Sequence, residues 1–205
     1  MKLYFAPGSV ARASLIALCE VGAEFEPVRL DYAITEQQSP AYKAINPKGR
    51  VPSLVVGDQV MTETPAIMHY IAKTYPDAGL MPSDPWAQAE VHELMSYLAS
   101  TVHVAHAHGM RGPRWARQES SFADMASKVR ENMLECFQYI ESKYLKGDWA
   151  LGSGFSVADC HLFTTACWLE RDGVDLASLP RVSQYMAAMQ DRPGVIRALE
   201  LERAA

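Results

Sequence analysis

The 205-residue sequence predicts a small α/β domain followed by an all-α helical bundle. Three observations carry that reading. Strand-type runs and a Gly57-Asp58 hairpin signal occupy the first part of the chain, and a Pro-, Gly- and Asp-rich break follows from Tyr75 to Pro85. Beyond that break the strand signals stop and only helical periodicity remains.

The elements follow in order. Lys2 to Phe5 reads as a short strand stopped by Pro7-Gly8, and Ser9 can cap a helix that runs to about Val21, where Gly22 ends it. Phe25 to Leu30 alternates apolar and polar residues as a half-buried strand does. A short helical piece from Ala41 to Ile45 ends at Asn46-Pro47-Lys48-Gly49. Val51 to Val56 and Gln59 to Met61 form the two arms of the hairpin, and Glu63 to Thr74 is helical with Ile67, Tyr70 and Ile71 on one stripe. The order β-α-β-α-β-β-α makes a sheet with helices on both faces. The expected organisation is an α/β domain over 1–76, a linker over 77–86 and an all-α domain over 87–205. In the last of these, Trp86 to His108, Gln118 to Tyr144, Ser156 to Arg171 and Leu179 to Gln190 read as helices, with a short one after Pro193-Gly194.

Composition narrows the function classes. A net charge of -5 offers no basic footprint for nucleic acid or for an anionic membrane surface. No window approaches the roughly 18 apolar residues of a membrane span. The opening MKLYFAPGS turns to Pro-Gly before any signal-peptide core can form. Cys19, Cys136, Cys160 and Cys167 sit in helical contexts without a CxxC pair, as buried thiols of a reducing compartment do. A cytoplasmic protein is expected.

Three segments carry the chemistry. In Gly49-Arg50-Val51-Pro52-Ser53-Leu54, a cis Val51–Pro52 bond would turn the Val51 main chain outward to pair with an extended peptide; a trans proline opening a strand reads the same. Thr62-Glu63-Thr64-Pro65 enters a helix, and free N–H groups there suit a carboxylate, while Glu63 suits an ammonium group; a plain capped helix is the alternative. Phe155-Ser156-Val157-Ala158-Asp159 is a capping box, with Phe155 and Cys160 as its hydrophobic staple.

Taken together and in this order, the segments resemble the soluble glutathione transferase family over essentially the whole chain. Asn46 to Pro52 followed by Thr62-Glu63-Thr64 is similar to the family's glutathione-binding half, which is thioredoxin-like with a cis proline, and Phe155 to Asp159 is similar to the capping box of its helical half. The opening Lys2 to Gly8 and the spacing throughout are closest to bacterial beta-class members. The resemblance implies that Val51 and Pro52, with Arg50, hold the cysteinyl part of glutathione and that Glu63 and Thr64 hold its γ-glutamyl end. It also implies a homodimer, a small hydrophobic electrophile as second substrate, a detoxifying role, and glutathione as co-substrate with no further cofactor.

The residue that activates the thiol is the open point. A free thiol titrates near pH ~8.5, and lowering that by about two units takes roughly 2.7 kcal/mol of selective stabilisation of the thiolate. Beta-class members place a cysteine after the position of Ser9 and often a tyrosine at that of Phe5; here Val10 and Phe5 offer neither group. Pro7-Gly8-Ser9 resembles the turn of the serine-type classes, so Ser9 either faces the thiolate or only caps its helix. Tyr4 is the second donor, on the strand face expected to point away. His103 resembles the beta-class histidine directed at the thiol, where a protonated or donor imidazole would help. Ser96 and Ser100 lie one and two turns before it and would line the cleft. His103 and His106 are spaced i, i+3, but no Cys, Asp or Glu nearby completes a metal site. His106, Met110, Arg111 and Trp115 would border the second-substrate pocket. The competing readings are a glutathione-dependent reductase, lyase, isomerase or dehalogenase of this fold, and a non-catalytic binding or stress protein.

Overall fold

The first strand sets the frame of the computed structural model, which describes residues 1–152 and 154–204. β1 (Lys2–Phe5) pairs in parallel with β2 (Glu26–Arg29) and antiparallel with β3 (Ser53–Val56); β3 pairs antiparallel with β4 (Gln59–Thr62). The sheet order is β2-β1-β3-β4. Leu3 and Phe5 are fully buried on one face, whereas Tyr4 turns to the other and packs on Tyr42, ring centroids 5.5 Å apart. Tyr42 belongs to α2 (Pro40–Ile45), which Ser39 caps by accepting from the Tyr42 N–H.

α1 (Ala11–Glu20) is buried along most of its length and packs on α3 (Thr64–Thr74), on α8 (Val157–Ala166) and on α10 (Pro193–Ala204). A helix of the α/β half is thus wedged into the helical half, and one continuous core spans both. Every residue of α8 is buried. Its start is the capping box: the Asp159 carboxylate accepts from the Ser156 N–H (2.8 Å) and the Ala150 N–H (2.7 Å), and Ser156 Oγ accepts from the Ala158 N–H. Phe155 packs edge-on against Trp149 and under the Arg192 guanidinium.

Several boundaries differ from the periodicity reading. Regular β3 begins at Ser53 rather than Val51, because the Val51–Pro52 bond is cis and Pro52 has no N–H for the ladder. The segment predicted as one helix over Trp86 to His108 is α4 (Pro85–Tyr97), a π-helical turn (Leu98–Val102) and α5 (His103–Ala107). The stretch from Gln118 to Tyr144 divides at Lys128 into α6 (Glu119–Ser127), which buries no residue, and α7 (Val129–Lys143), which buries five. α8 stops at Ala166, where Trp168 and Leu169 bond back three residues instead of four. α9 (Pro180–Gln190) starts one residue after its prediction, and α10 is longer than the short piece expected after Pro193-Gly194.

Candidate functional site

Strand register brings four segments to one end of the sheet. Tyr4 lies opposite Ser53, and Ser53 opposite Thr62, across antiparallel pairs. The turn leaving β1, the loop entering β3 and the turn leaving β4 therefore share one edge. β2 runs parallel to β1, so the chain after Arg29, with Tyr32, emerges there too.

The loop before β3 is fixed from beneath. The Arg50 carbonyl accepts from Tyr42 Oη (2.7 Å) and from Asn46 Nδ2 (2.7 Å), and Ser53 Oγ joins both side chains. Gly49 has φ +59°, and a Cβ there would lie 2.9 Å from the Gln37 carbonyl, so only glycine fits this turn. With Arg50 anchored and Pro52 cis, the Val51 N–H and C=O form no main-chain hydrogen bond among the described residues. An extended peptide would pair with them by displacing the Tyr32 hydroxyl, which lies against the Val51 main chain.

The turn after β4 offers an anion site. Glu63 adopts φ +74°, and α3 begins at the buried Thr64 with Pro65 in its first turn. The unpaired N–H groups of that terminus and the helix dipole favour a carboxylate. Glu63 is exposed and pairs with Lys48, whose Nζ also donates to Thr62 Oγ1 at 2.7 Å. An incoming ammonium group would compete with Lys48 for that carboxylate.

The turn after β1 is held by the helical half. Gly8, at φ +70°, receives Trp168 Nε1–H on its carbonyl (3.0 Å) and directs its N–H to Glu202 Oε1 (3.3 Å). Glu202 also accepts two bonds from Arg12, at 3.0 and 2.6 Å. Ser9 Oγ donates to the Ala6 carbonyl at 2.6 Å and accepts from the Ala11 N–H at 3.3 Å. The hydroxyl that was expected either to cap or to face a thiolate thus bonds within the turn that enters α1, with its proton on the main chain, and Val10 occupies the N-cap position.

Comparison with known proteins identifies the arrangement. The model for "Glutathione S-transferase, N-terminal domain" matches residues 1–73, and that for "Glutathione S-transferase, C-terminal domain" matches residues 101–193. Glutathione S-transferase GstA of Escherichia coli O157:H7 is 31% identical over 205 residues, covering 98% of each chain. This chain belongs to the glutathione S-transferase family. Among solved structures, a glutathione transferase homologue from Sulfitobacter with bound glutathione is 48% identical, with a TM-score of 0.96 over 98% of this chain and 97% of that one. A beta-class transferase from Sphingomonas chungbukensis is 31% identical, with a TM-score of 0.86 over the whole of both chains.

In this transferase Val10, at the beta-class cysteine position, is 8% exposed and part of the core beneath the turn. Phe5 is fully buried. Cys19, expected to be buried, is partly exposed, and burial of its sulfur pushes the thiol up to about 11, far from a reactive thiolate.

The remaining candidates separate. His103 faces the junction of the two halves. Burial, then the nearby His106, Arg114 and Arg50, lower it to about 4 against a smaller opposing pull from Glu63. A protonated imidazole, one of the two forms expected, is excluded near pH 7; the neutral ring, 5.1 Å from that of Trp168, remains a donor. His106, expected to border the second-substrate pocket, is turned to Asp172 and Trp168. Its Nδ1–H donates to Asp172 at 2.7 Å and its ring stacks on Trp168 at 4.2 Å, because this helix face meets the turns after α8. Tyr4 is committed to the α2 side of the sheet by strand alternation. Ser96 and Ser100 are exposed, and the π-helical turn inserts one extra residue between Ser96 and His103. That rotates Ser96 by about a third of a turn off the predicted stripe. Met110 and Trp115 are exposed, at 44% and 45%, and Arg111 lies over the Tyr32 ring at 5.9 Å.

Tyr32, Tyr42, Trp168 and Glu202 escaped the sequence reading as site residues, and Asn46 was read only as the start of a turn and of the glutathione-binding motif. Tyr32 sits in a polar stretch without periodicity, and the others act through contacts made across the fold. Asn46 alone carried a local signal, since Asn-Pro-Lys-Gly marks a turn whose side-chain amide needs a target.

Proposed function

We propose that this transferase binds glutathione across the end of the sheet and conjugates its thiolate to a small hydrophobic electrophile. The supporting observation is the convergence of three groups: the Val51 main chain, the N-terminus of α3 at Thr64, and the Ser9 turn at the start of α1. Val51 pairs with the cysteinyl main chain, Thr64 takes the γ-glutamyl carboxylate, Glu63 takes the ammonium group in place of Lys48, and Arg50 lies beside the glycyl end. Ser9 Oγ turns its proton from Ala6 to the thiolate, aided by neutral His103. Attack forms the S–C bond, the electrophile's leaving group departs with its electron pair, and the thiol proton passes to solvent.

The engaged Ser9 hydroxyl favours a second reading, a glutathione-binding scaffold without turnover. Calorimetry of glutathione binding, with the ultraviolet absorbance of bound thiolate read in wild type, Ser9→Ala and His103→Ala, separates the two. Conjugation predicts thiolate in wild type near pH 7 and its loss in Ser9→Ala. Binding without thiolate supports the scaffold, and absence of binding ends both readings.

The protein acts as a homodimer in the cytoplasm, with no cofactor beyond its co-substrate. Support for the dimer comes from an apolar groove of about 460 Å³ beside α3, lined by Met61, Pro65, Tyr70 and His92 among others, with Val60 exposed nearby. No helix among the described residues is long and apolar enough to cross a membrane. Light scattering on the purified protein tests the dimer.

A further inference from the structure

Three arginines converge on the open side of the glutathione site. Arg50 precedes Val51 in the loop before β3; Arg111 and Arg114 flank and end the 3-10 turn Gly112–Arg114, after α5. The Arg111 guanidinium lies 5.9 Å from the centre of the Tyr32 ring. Tyr32 feels the charge of all three, and Arg114 is disfavoured by its own burial and by both Arg50 and Arg111. Arg111 and Arg114 stand three residues apart across the 3-10 turn, where the Arg114 N–H bonds the Arg111 carbonyl at 2.9 Å, and Arg111 over Tyr32 brings that turn to the sheet end that carries Arg50. Among the described residues none of the three makes an ion pair. Glu63, whose charge reaches His103, is held by Lys48.

A triply cationic corner on a chain of net charge -5 is not a by-product of overall composition. Like charges gathered without a counter-ion are mutually destabilising, and an anion seated among them removes that cost. Glutathione supplies one such anion. Its γ-glutamyl carboxylate goes to the start of α3, and its glycyl carboxylate lies toward Arg50, the residue adjoining Val51. Arg111 and Arg114 remain. Beside them Met110 and Trp115 expose apolar surface, and His108 meets Trp115 edge-on with ring centroids 4.6 Å apart.

We infer that the second substrate is a carboxylate-bearing aromatic or unsaturated electrophile, its apolar body on Met110 and Trp115 and its carboxylate on Arg111 and Arg114. This rests on the glutathione-binding reading above. Guanidinium forks hold carboxylates through paired charge-assisted hydrogen bonds, and such a site rejects a neutral analogue. The acid should therefore be preferred by about tenfold or more over its ester, less so at high salt.

Binding of product conjugates tests this without requiring turnover. The probes are glutathione, S-(4-carboxy-2-nitrophenyl)glutathione and the methyl ester of that aryl carboxylate, titrated calorimetrically into wild type and the Arg111→Gln/Arg114→Gln double variant. The expected result is at least tenfold tighter binding of the acid than of the ester in wild type. In the double variant the two conjugates should bind alike, with glutathione itself changed by less than about twofold. Equal binding of acid and ester to wild type, with glutathione bound, overturns the inference and leaves the glutathione site intact. The inference also fails if the double variant loses glutathione but keeps the acid preference, because the arginines then serve the glycyl carboxylate. Failure of glutathione and both conjugates to bind wild type rejects the underlying reading instead.

Discussion

His161 shows how one residue inside α8 sets a property of the protein. It is fully buried, and neither ring nitrogen has a hydrogen-bond partner among the described residues. Burial, with a smaller push from His103, lowers it to about 3. The unfolded chain titrates near pH ~6.5, so the folded state binds fewer protons between about pH 3 and pH 6.5. The stability contribution is present above that window and is lost as the pH falls through it, at about 1.4 kcal/mol per pH unit. Between pH 7 and pH 5 the wild type should lose about 2 kcal/mol that His161→Leu keeps, measured by urea unfolding at the two pH values. The variant should also gain at pH 7, because an unpaired buried polar ring is exchanged for an apolar side chain. Position 161 was read only as part of a helix; periodicity assigns the element and leaves the environment of its inner face open.

At the scale of elements, the loop before β3 and the start of α8 use the same device. In each, one polar side chain satisfies main-chain groups that a turn would otherwise bury unpaired. Asn46 does this for Arg50 and Lys48, through Nδ2 and Oδ1. Replacing Asn46 with alanine should cost about 2 kcal/mol of stability. It should also weaken glutathione binding several-fold with no contact to the ligand removed, since the Val51 main chain loses its support; calorimetric titration reads this. Asp159→Ala should cost about 3 kcal/mol in urea unfolding and leave glutathione affinity nearly unchanged, because it strands the Ala150 and Ser156 N–H groups well away from the sheet edge. The capping box was legible in the sequence because its partners are three residues apart. The Asn46 network was only half legible, since Ser53 and Tyr42 close it from other elements.

At the scale of the molecule, the helical half holds the turn after β1 in the α/β half. Trp168 and Glu202 grip the two polar groups of Gly8, and Glu202 pairs with Arg12, 15% exposed, in the first turn of α1. Glu202→Gln leaves Arg12 without its counter-charge in a largely buried place. It should destabilise the protein by about 3 kcal/mol in urea unfolding. Trp168→Phe keeps an aromatic ring against His106 and removes the bond to the Gly8 carbonyl along with part of the indole's packing. It should lower the yield of bound thiolate more than it lowers stability. Gly8 and Ser9 stood out in the sequence, whereas the residues that hold them lie about 160 positions or more away.

The residues alone left the Val51–Pro52 bond open between cis and trans, whereas the order of elements, the start of α3 and the capping box were determined by the sequence itself. Each depends on residues within a few positions, where period, turn chemistry and caps act directly. The lining of the thiol site was decided by the tertiary structure. Strand alternation sent Tyr4 to the α2 side, stacking on Trp168 withdrew His106, and a π-helical turn moved Ser96 off its stripe. Packing also laid Arg111 over the Tyr32 ring, a meeting of residues from the two halves of the chain. No local pattern encodes such a meeting, because its partners are set by how the two halves pack and not by their spacing along the chain.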